Sequence, residues 1–136
     1  MPHLVILYTA NLDRESDMSA LCRTMADTML TVKDEAGVQV FPTGGTRVLA
    51  YPAAHSAVAD GKNDYGFAYF NIRMAQGRSD AVKKQAGDAL LAAARTHFEP
   101  VFAKGYLGLT LQIDEGHEAF NGVASTIHPL FKALPR

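Results

Sequence analysis

Apolar runs of strand character and apolar stripes of helical spacing alternate along the chain. Leu4 to Thr9 reads "LVILYT", a continuous β-rich run suited to a strand buried on both faces. "ANLDRESD" follows as a polar connection, and the carboxylate of Asp17 is placed to cap a helix. Met18, Leu21, Cys22, Met25, Met29 and Val32 recur at helical spacing, while Arg23, Asp27 and Lys33 fall elsewhere on the wheel. "DEAG" predicts the end of that helix, with Gly37 as its C-cap. "VQVF" and, after the Pro42-Thr43-Gly44-Gly45 turn, "TRVLAY" predict a strand interrupted by a bend.

The second half repeats the pattern after the turn-rich "ADGKND". From Tyr65 to Met74 the residues alternate. Tyr65, Phe67, Tyr69, Asn71 and Arg73 share one face, and Ala68, Phe70, Ile72 and Met74 the other. Ser79 is the expected N-cap of a long helix whose inner face is Val82, Ala86, Ala89, Leu90, Ala93, His97 and Val101. Asp80 and Lys84 form an acid-before-base pair on its outer face, and Gly105 closes it. "LGLTLQID" is the last strand, with Leu107, Leu109, Leu111 and Ile113 on one side.

The order β-α-β, β-α-β predicts an α+β (α/β) fold in one domain, 1–136, with a pseudo-repeat over 2–52 and 64–115 and a tail over 116–136. Right-handed crossovers make the strands of each unit parallel. Two units side by side give a four-stranded sheet with both helices on one face. The other face, with Tyr65, Phe67 and Tyr69, then needs a partner, which predicts an oligomer. "STIHPLFKAL" in the tail is short and apolar enough to dock on a neighbouring subunit.

Composition narrows the function. A formal charge of −1 and scattered lysines and arginines leave no electrostatic footprint for nucleic acid or an anionic membrane. The single cysteine, Cys22, excludes an intramolecular disulfide and reads as a buried structural thiol. The apolar run at Leu4–Leu7 is too short for a signal peptide or membrane span, so a cytoplasmic protein is expected. No glycine-rich phosphate loop, GxSxG elbow or metal-spaced Cys/His cluster occurs. His3, His55, His97, His117 and His128 are dispersed, and His97 reads as a core histidine with its polar atoms satisfied. Asp114, Glu115 and Glu118 read as a solvated strand end.

Three residues remain as candidates. Pro2 stands directly before the first strand, where proline is tolerated whether or not it does anything. If Met1 is trimmed, Pro2 becomes a secondary amine at the amino terminus. An α-amino group titrates at about 8 in models. Burial and nearby positive charge push such a group down, leaving a free base able to move a proton between two atoms of a substrate. Arg78, in "QGRSD", lies between a strand end and a helix cap, where a guanidinium takes a carboxylate in a bidentate fork. Arg47 follows the flexible "PTGG" turn, and Arg73, within a strand, reads as structural or interfacial.

"MPHLVILYT", "FPTGGTRV", "ADGKNDYGFAYFNIRMAQGRSDAVKKQAG" and "THFEP", in that order and spacing, resemble the 5-carboxymethyl-2-hydroxymuconate Δ-isomerases of the tautomerase superfamily. The resemblance runs from Pro2 to about Ile113, and loosely to "IHPLFK". It implies a homotrimer of chains with two β-α-β units, and a cofactor-free reaction in which an amino-terminal proline shuttles a proton. It implies Pro2 as the catalyst and Arg47 and Arg78 as ligands for carboxylates of an unsaturated hydroxy-dicarboxylate or tricarboxylate. The reaction it implies belongs to bacterial catabolism of 4-hydroxyphenylacetate. A hydratase or dehalogenase on the same scaffold, using protonated Pro2, and a non-enzymatic ferredoxin-like oligomeric module are the alternative readings.

Overall fold

The computed structural model of the chain describes residues 2–131. At its centre is strand β1 (His3–Thr9), whose Leu4, Ile6 and Tyr8 are buried on one face while Leu7 is exposed on the other. After it come α1 (Leu12–Glu15), α2 (Met18–Thr31), β2 (Arg47–Ala53), β3 (Tyr65–Ala75), α3 (Asp80–His97), α4 (Glu99–Lys104) and β4 (Tyr106–Gly116). Two 3-10 turns, Thr43–Gly45 and His128–Phe131, complete the order. The sheet runs β2-β1-β3-β4; β1 is parallel to β2, β3 is parallel to β4, and β1 meets β3 antiparallel. This is the expected pair of β-α-β units.

Both long helices cover the same sheet face. Leu21, Met25 and Met29 of α2, with Val82, Ala86, Leu90 and Ala94 of α3, close over Leu4, Ile6, Ala68, Phe70 and Ile72. Each fully buried leucine there contributes about 1.5–3 kcal/mol relative to exposure. Asp17 caps α2 by accepting from the Ala20 N–H at 2.9 Å, and Ser79 caps α3 by accepting from Val82 at 3.2 Å. Both caps match the sequence reading.

Several expectations are corrected. The connection after β1 contains a short helix, α1, whose one buried residue is Leu12. Helix α2 stops at Thr31 rather than at Gly37, which sits at φ +79° in a turn closed by the Lys33–Gln39 bridge. "VQVF" is not a strand: Val40 and Phe41 are buried within a loop, so burial rather than pairing satisfies their apolar side chains. The second long helix breaks at Phe98, because Pro100 lacks an N–H and would crowd the carbonyl four residues back; α4 restarts with that proline in its first turn. Ala94, absent from the expected inner face, is fully buried like Ala86, while Ala93 packs partly buried against the core and His97 is only half-buried. Asp80 pairs with Lys83 at 3.1 Å rather than with Lys84, which takes Asp88 at 2.7 Å.

The uncovered face is also distributed differently. Tyr65, Phe67 and Tyr69 are half-buried: Tyr65 meets Tyr106 edge-on, and the Tyr69 hydroxyl donates to Gln112. The most exposed apolar side chains stand at both margins of the face: Leu7, Leu49 and Tyr51 toward β2, at 48%, 47% and 50%, and Tyr106 on β4, at 64%. The tail turn His128–Phe131 rests on the chain's own Thr43–Gly45 turn; residues 132–136 lie outside the described residues.

Candidate active site at one end of the sheet

Sheet direction gathers the candidates. With β1 and β2 starting where β3 and β4 finish, the residues before the first pair and after the second share one end. Pro2 is buried there, immediately before His3. His3 is in register with Arg47, the first residue of β2, on one side and with Arg73, near the end of β3, on the other. Arg78 follows β3 by three residues. Gly77, at φ +112°, provides the left-handed backbone that lets the chain reverse before it. Met1, whose removal the proline chemistry requires, lies outside the described residues.

Two loops are tied together at this end. The Arg78 guanidinium donates from Nη2 to the Val40 carbonyl at 3.1 Å, and the Ser79 hydroxyl donates to Glu35 at 2.8 Å. Lys83 at the start of α3 bridges Asp80 and, at 2.9 Å, Glu115 at the end of β4. These contacts fix the loop that carries Arg78, and among the described residues only Nη2 of its guanidinium is engaged. Arg47 is half-buried, and its Nη1 approaches His3 Nδ1 at 3.5 Å. Burial and then the Arg47 charge hold the His3 imidazole below its ordinary range, so it is neutral at pH 7 and able to accept from the guanidinium. The Arg73 guanidinium lies over Gly116, where a Cβ would overlap it. Its neighbours Asn71 and Asp114 hydrogen-bond each other at 2.8 Å.

Topology and register place Pro2, Arg47 and Arg78 at the same end of the sheet. One guanidinium comes from the first residue of β2 and the other from the loop after β3, and Pro2 at the same end is buried. The structure brings Pro2, Arg47 and Arg78 to one end and leaves Cys22 elsewhere, half-buried with its thiol pushed up by burial. Sequence reasoning missed His3 and the Val40 carbonyl. The position of His3 directly after Pro2 was the available signal for the first, but the second depends on a loop backbone that no motif marks. Among the described residues no three His, Cys, Asp or Glu side chains converge as a metal set, and no helix is long and apolar enough to cross a membrane.

A cleft of about 370 Å³ lies at the opposite end of the sheet, lined by Asn11, Glu15, Asp64, Lys104 and Tyr106 among others. Its charges are already matched, Lys104 with Glu15 at 2.8 Å and Arg14 with Asp64 at 3.7 Å. It offers no spare cation to a carboxylate, unlike the Pro2 end.

Comparison with known proteins gives the chemistry a family. The model of the 5-carboxymethyl-2-hydroxymuconate isomerase family matches residues 2–131. The chain is 29% identical over 132 residues to the 5-carboxymethyl-2-hydroxymuconate Delta-isomerase of Escherichia coli, covering 97% of this chain and all of that one. A crystal structure of a 5-carboxymethyl-2-hydroxymuconate delta-isomerase superposes with TM-score 0.94 at 52% identity, over 100% of this chain and 96% of the other. A 5-carboxymethyl-2-hydroxymuconate isomerase from Deinococcus radiodurans R1 gives 0.85 at 33%, over 97% and 95%. More distant structures share the fold alone, among them a fused 4-OT trimer at 13% identity with TM-score 0.57, over 94% and 97%.

Proposed function

Because the chain belongs to the 5-carboxymethyl-2-hydroxymuconate isomerase family, we propose that it isomerises 5-carboxymethyl-2-hydroxymuconate, or a similar 2-hydroxymuconate, to the 2-oxo-3-enoate through Pro2. Family membership makes it an isomerase and sets aside the non-enzymatic binding module. The observation that carries the site assignment is the meeting of Pro2, Arg47 and Arg78 at one sheet end.

With Met1 removed, the Pro2 nitrogen is a secondary amine in a buried position next to a strand that starts with Arg47. Both burial and that positive charge disfavour its protonated form. The free amine takes the proton of the 2-hydroxyl, giving a dienolate, and the prolinium returns it to the conjugated carbon at the far end of the diene. One proton leaves oxygen and one arrives at carbon, so no redox partner or cofactor is required. Arg47 and Arg78 hold the carboxylates and stabilise the negative charge that grows at the 1-carboxylate and 2-oxo end. The substrate's three carboxylates give both guanidinium groups a partner. The step fits bacterial breakdown of 4-hydroxyphenylacetate in the cytoplasm, carried out by a homotrimer.

Steady-state kinetics on a 2-hydroxymuconate test this. Pro2→Ala, and protein that keeps Met1, lose about 10²–10⁴-fold in kcat/KM, the size of a general acid–base contribution. Arg78→Ala raises KM. Normal turnover by both proline-blocked forms would overturn the proposal. A Pro2 amine titrating well above neutrality by NMR would favour the hydratase or dehalogenase chemistry instead.

A further inference from the structure

Gly44 lies buried in the Thr43–Gly45 turn, three residues before Arg47. Its backbone is not left-handed, so conformation does not demand glycine there. Space does. A Cβ on Gly44 would stand 2.9 Å from the His128 Cα and 3.4 Å from Cδ2 of Phe131. The main chain of the tail turn is thus seated directly on this glycine. The tail turn is itself built rather than draped. The Ser125 hydroxyl accepts from the N–H groups of Ile127 and His128 at 3.0 and 3.2 Å, and the Leu130 N–H donates to the Ile127 carbonyl at 3.0 Å. Phe131 also borders a groove with Thr43, Thr46 and Val48, which flank Arg47 on both sides in sequence.

Arg47 has little of its own to hold it. Among the described residues its side chain has one polar partner, His3 at 3.5 Å, a long contact. The turn before it carries the constraint instead. The Gly45 N–H donates to the Pro42 carbonyl at 3.1 Å, and the Thr46 hydroxyl donates to the same oxygen at 2.9 Å. Gln39 Nε2 reaches the Thr43 hydroxyl at 3.0 Å. A guanidinium that must meet a carboxylate in register has to be held within about 0.5 Å by its supports. The tail closes the face of that turn which no other element covers with so close a contact.

We infer that His128–Phe131 is a positioning clasp that presses on Gly44 and thereby sets the place of Arg47. The inference rests on reading Arg47 as a substrate-carboxylate ligand. The clasp makes no contact with substrate and acts through the turn.

Full-length Gly44→Ala and Phe131→Ala, Arg47→Ala, and the two doubles with Arg47→Ala test it by steady-state kinetics and thermal unfolding. Gly44→Ala raises KM for a 2-hydroxymuconate about tenfold with kcat within about twofold, a coupling of ordinary size for neighbouring residues. Phe131→Ala moves KM in the same direction, by less. Neither change adds to the KM of Arg47→Ala. Unchanged KM in the two tail-contact variants, or effects that simply multiply with that of Arg47→Ala, would overturn the clasp while leaving the arginine reading intact. A KM unmoved by Arg47→Ala alone would instead remove the arginine's role, and the inference with it. Thermal unfolding reports separately any loss of fold.

Discussion

His97 shows how a single side chain ties stability to pH. Its Nε2 lies 2.7 Å from the Ser16 hydroxyl, and its ring meets Phe98 edge-on, with centroids 5.0 Å apart at 90°. As a neutral imidazole it shares a hydrogen bond with the serine hydroxyl, the donor depending on its tautomer, and tolerates its apolar neighbour. Burial lowers its affinity for a proton, and Asp17 offsets that only in part. The folded chain therefore binds fewer protons here than the unfolded chain, whose histidine titrates at about 6.5. Its contribution is fully present above that value and is lost as pH falls through it toward the lower folded value. Urea unfolding at pH 8 and at pH 5.5 tests this. The native chain loses more stability on acidification than His97→Gln does, and equal losses would refute the assignment. His3 shifts in the same direction but is unchanged by the substitution, so it cancels in the comparison.

At the level of elements, capping residues set where helices begin, and one of them bears on the site. Ser79 accepts from Val82 and donates to Glu35, so it starts α3 and ties the loop carrying Arg78 to the loop before β2. Ser79→Ala costs about 1 kcal/mol by loss of the cap. For a chain of this length, that lowers the melting temperature by about 3–5 °C in calorimetry. A melting temperature unchanged by the substitution would deny the cap its weight. Such elements were legible in the sequence because the signal is local: Asp17 and Ser79 are polar side chains with free N–H groups just after them. The strict alternation from Tyr65 to Met74 likewise gave the buried face of β3 residue by residue. The loop from Lys33 to Thr46 was not legible. Val40 and Phe41 carry strand propensity, but the Val40 N–H is taken by the Val32 carbonyl at 2.9 Å within the loop, and only the packed molecule shows that both side chains go inside. Of the candidate site, the three residue types were readable from their turns and from family resemblance. Their convergence was not, since it follows from the antiparallel meeting of β1 and β3, which connects positions about 70 residues apart.

For the whole molecule, the uncovered sheet face is the feature that bears on assembly. Leu7 and Tyr51 are register partners, and Leu49 stands one step along the same face, so these half-exposed side chains form one continuous patch. A patch of this kind marks a contact surface, and proteins of this fold include trimers. Leu49→Asp places a charge within it and shifts sedimentation from an assembled species to single chains; an unaltered sedimentation profile would put the contact elsewhere. The same sheet has a consequence for how the site can change over evolutionary time. Leu4, Ile6 and Tyr8 face the core because side chains alternate, and a shift of one residue in β1 would turn all three outward. The core therefore acts as a ruler for Pro2. If Pro2 is the base, as proposed, side chains around it can be exchanged one at a time, but a residue inserted or deleted between Pro2 and Leu4 would displace the proline by a full step while leaving the interior satisfied. Substrate range is open to drift by substitution, whereas the length of chain before the first core residue is not.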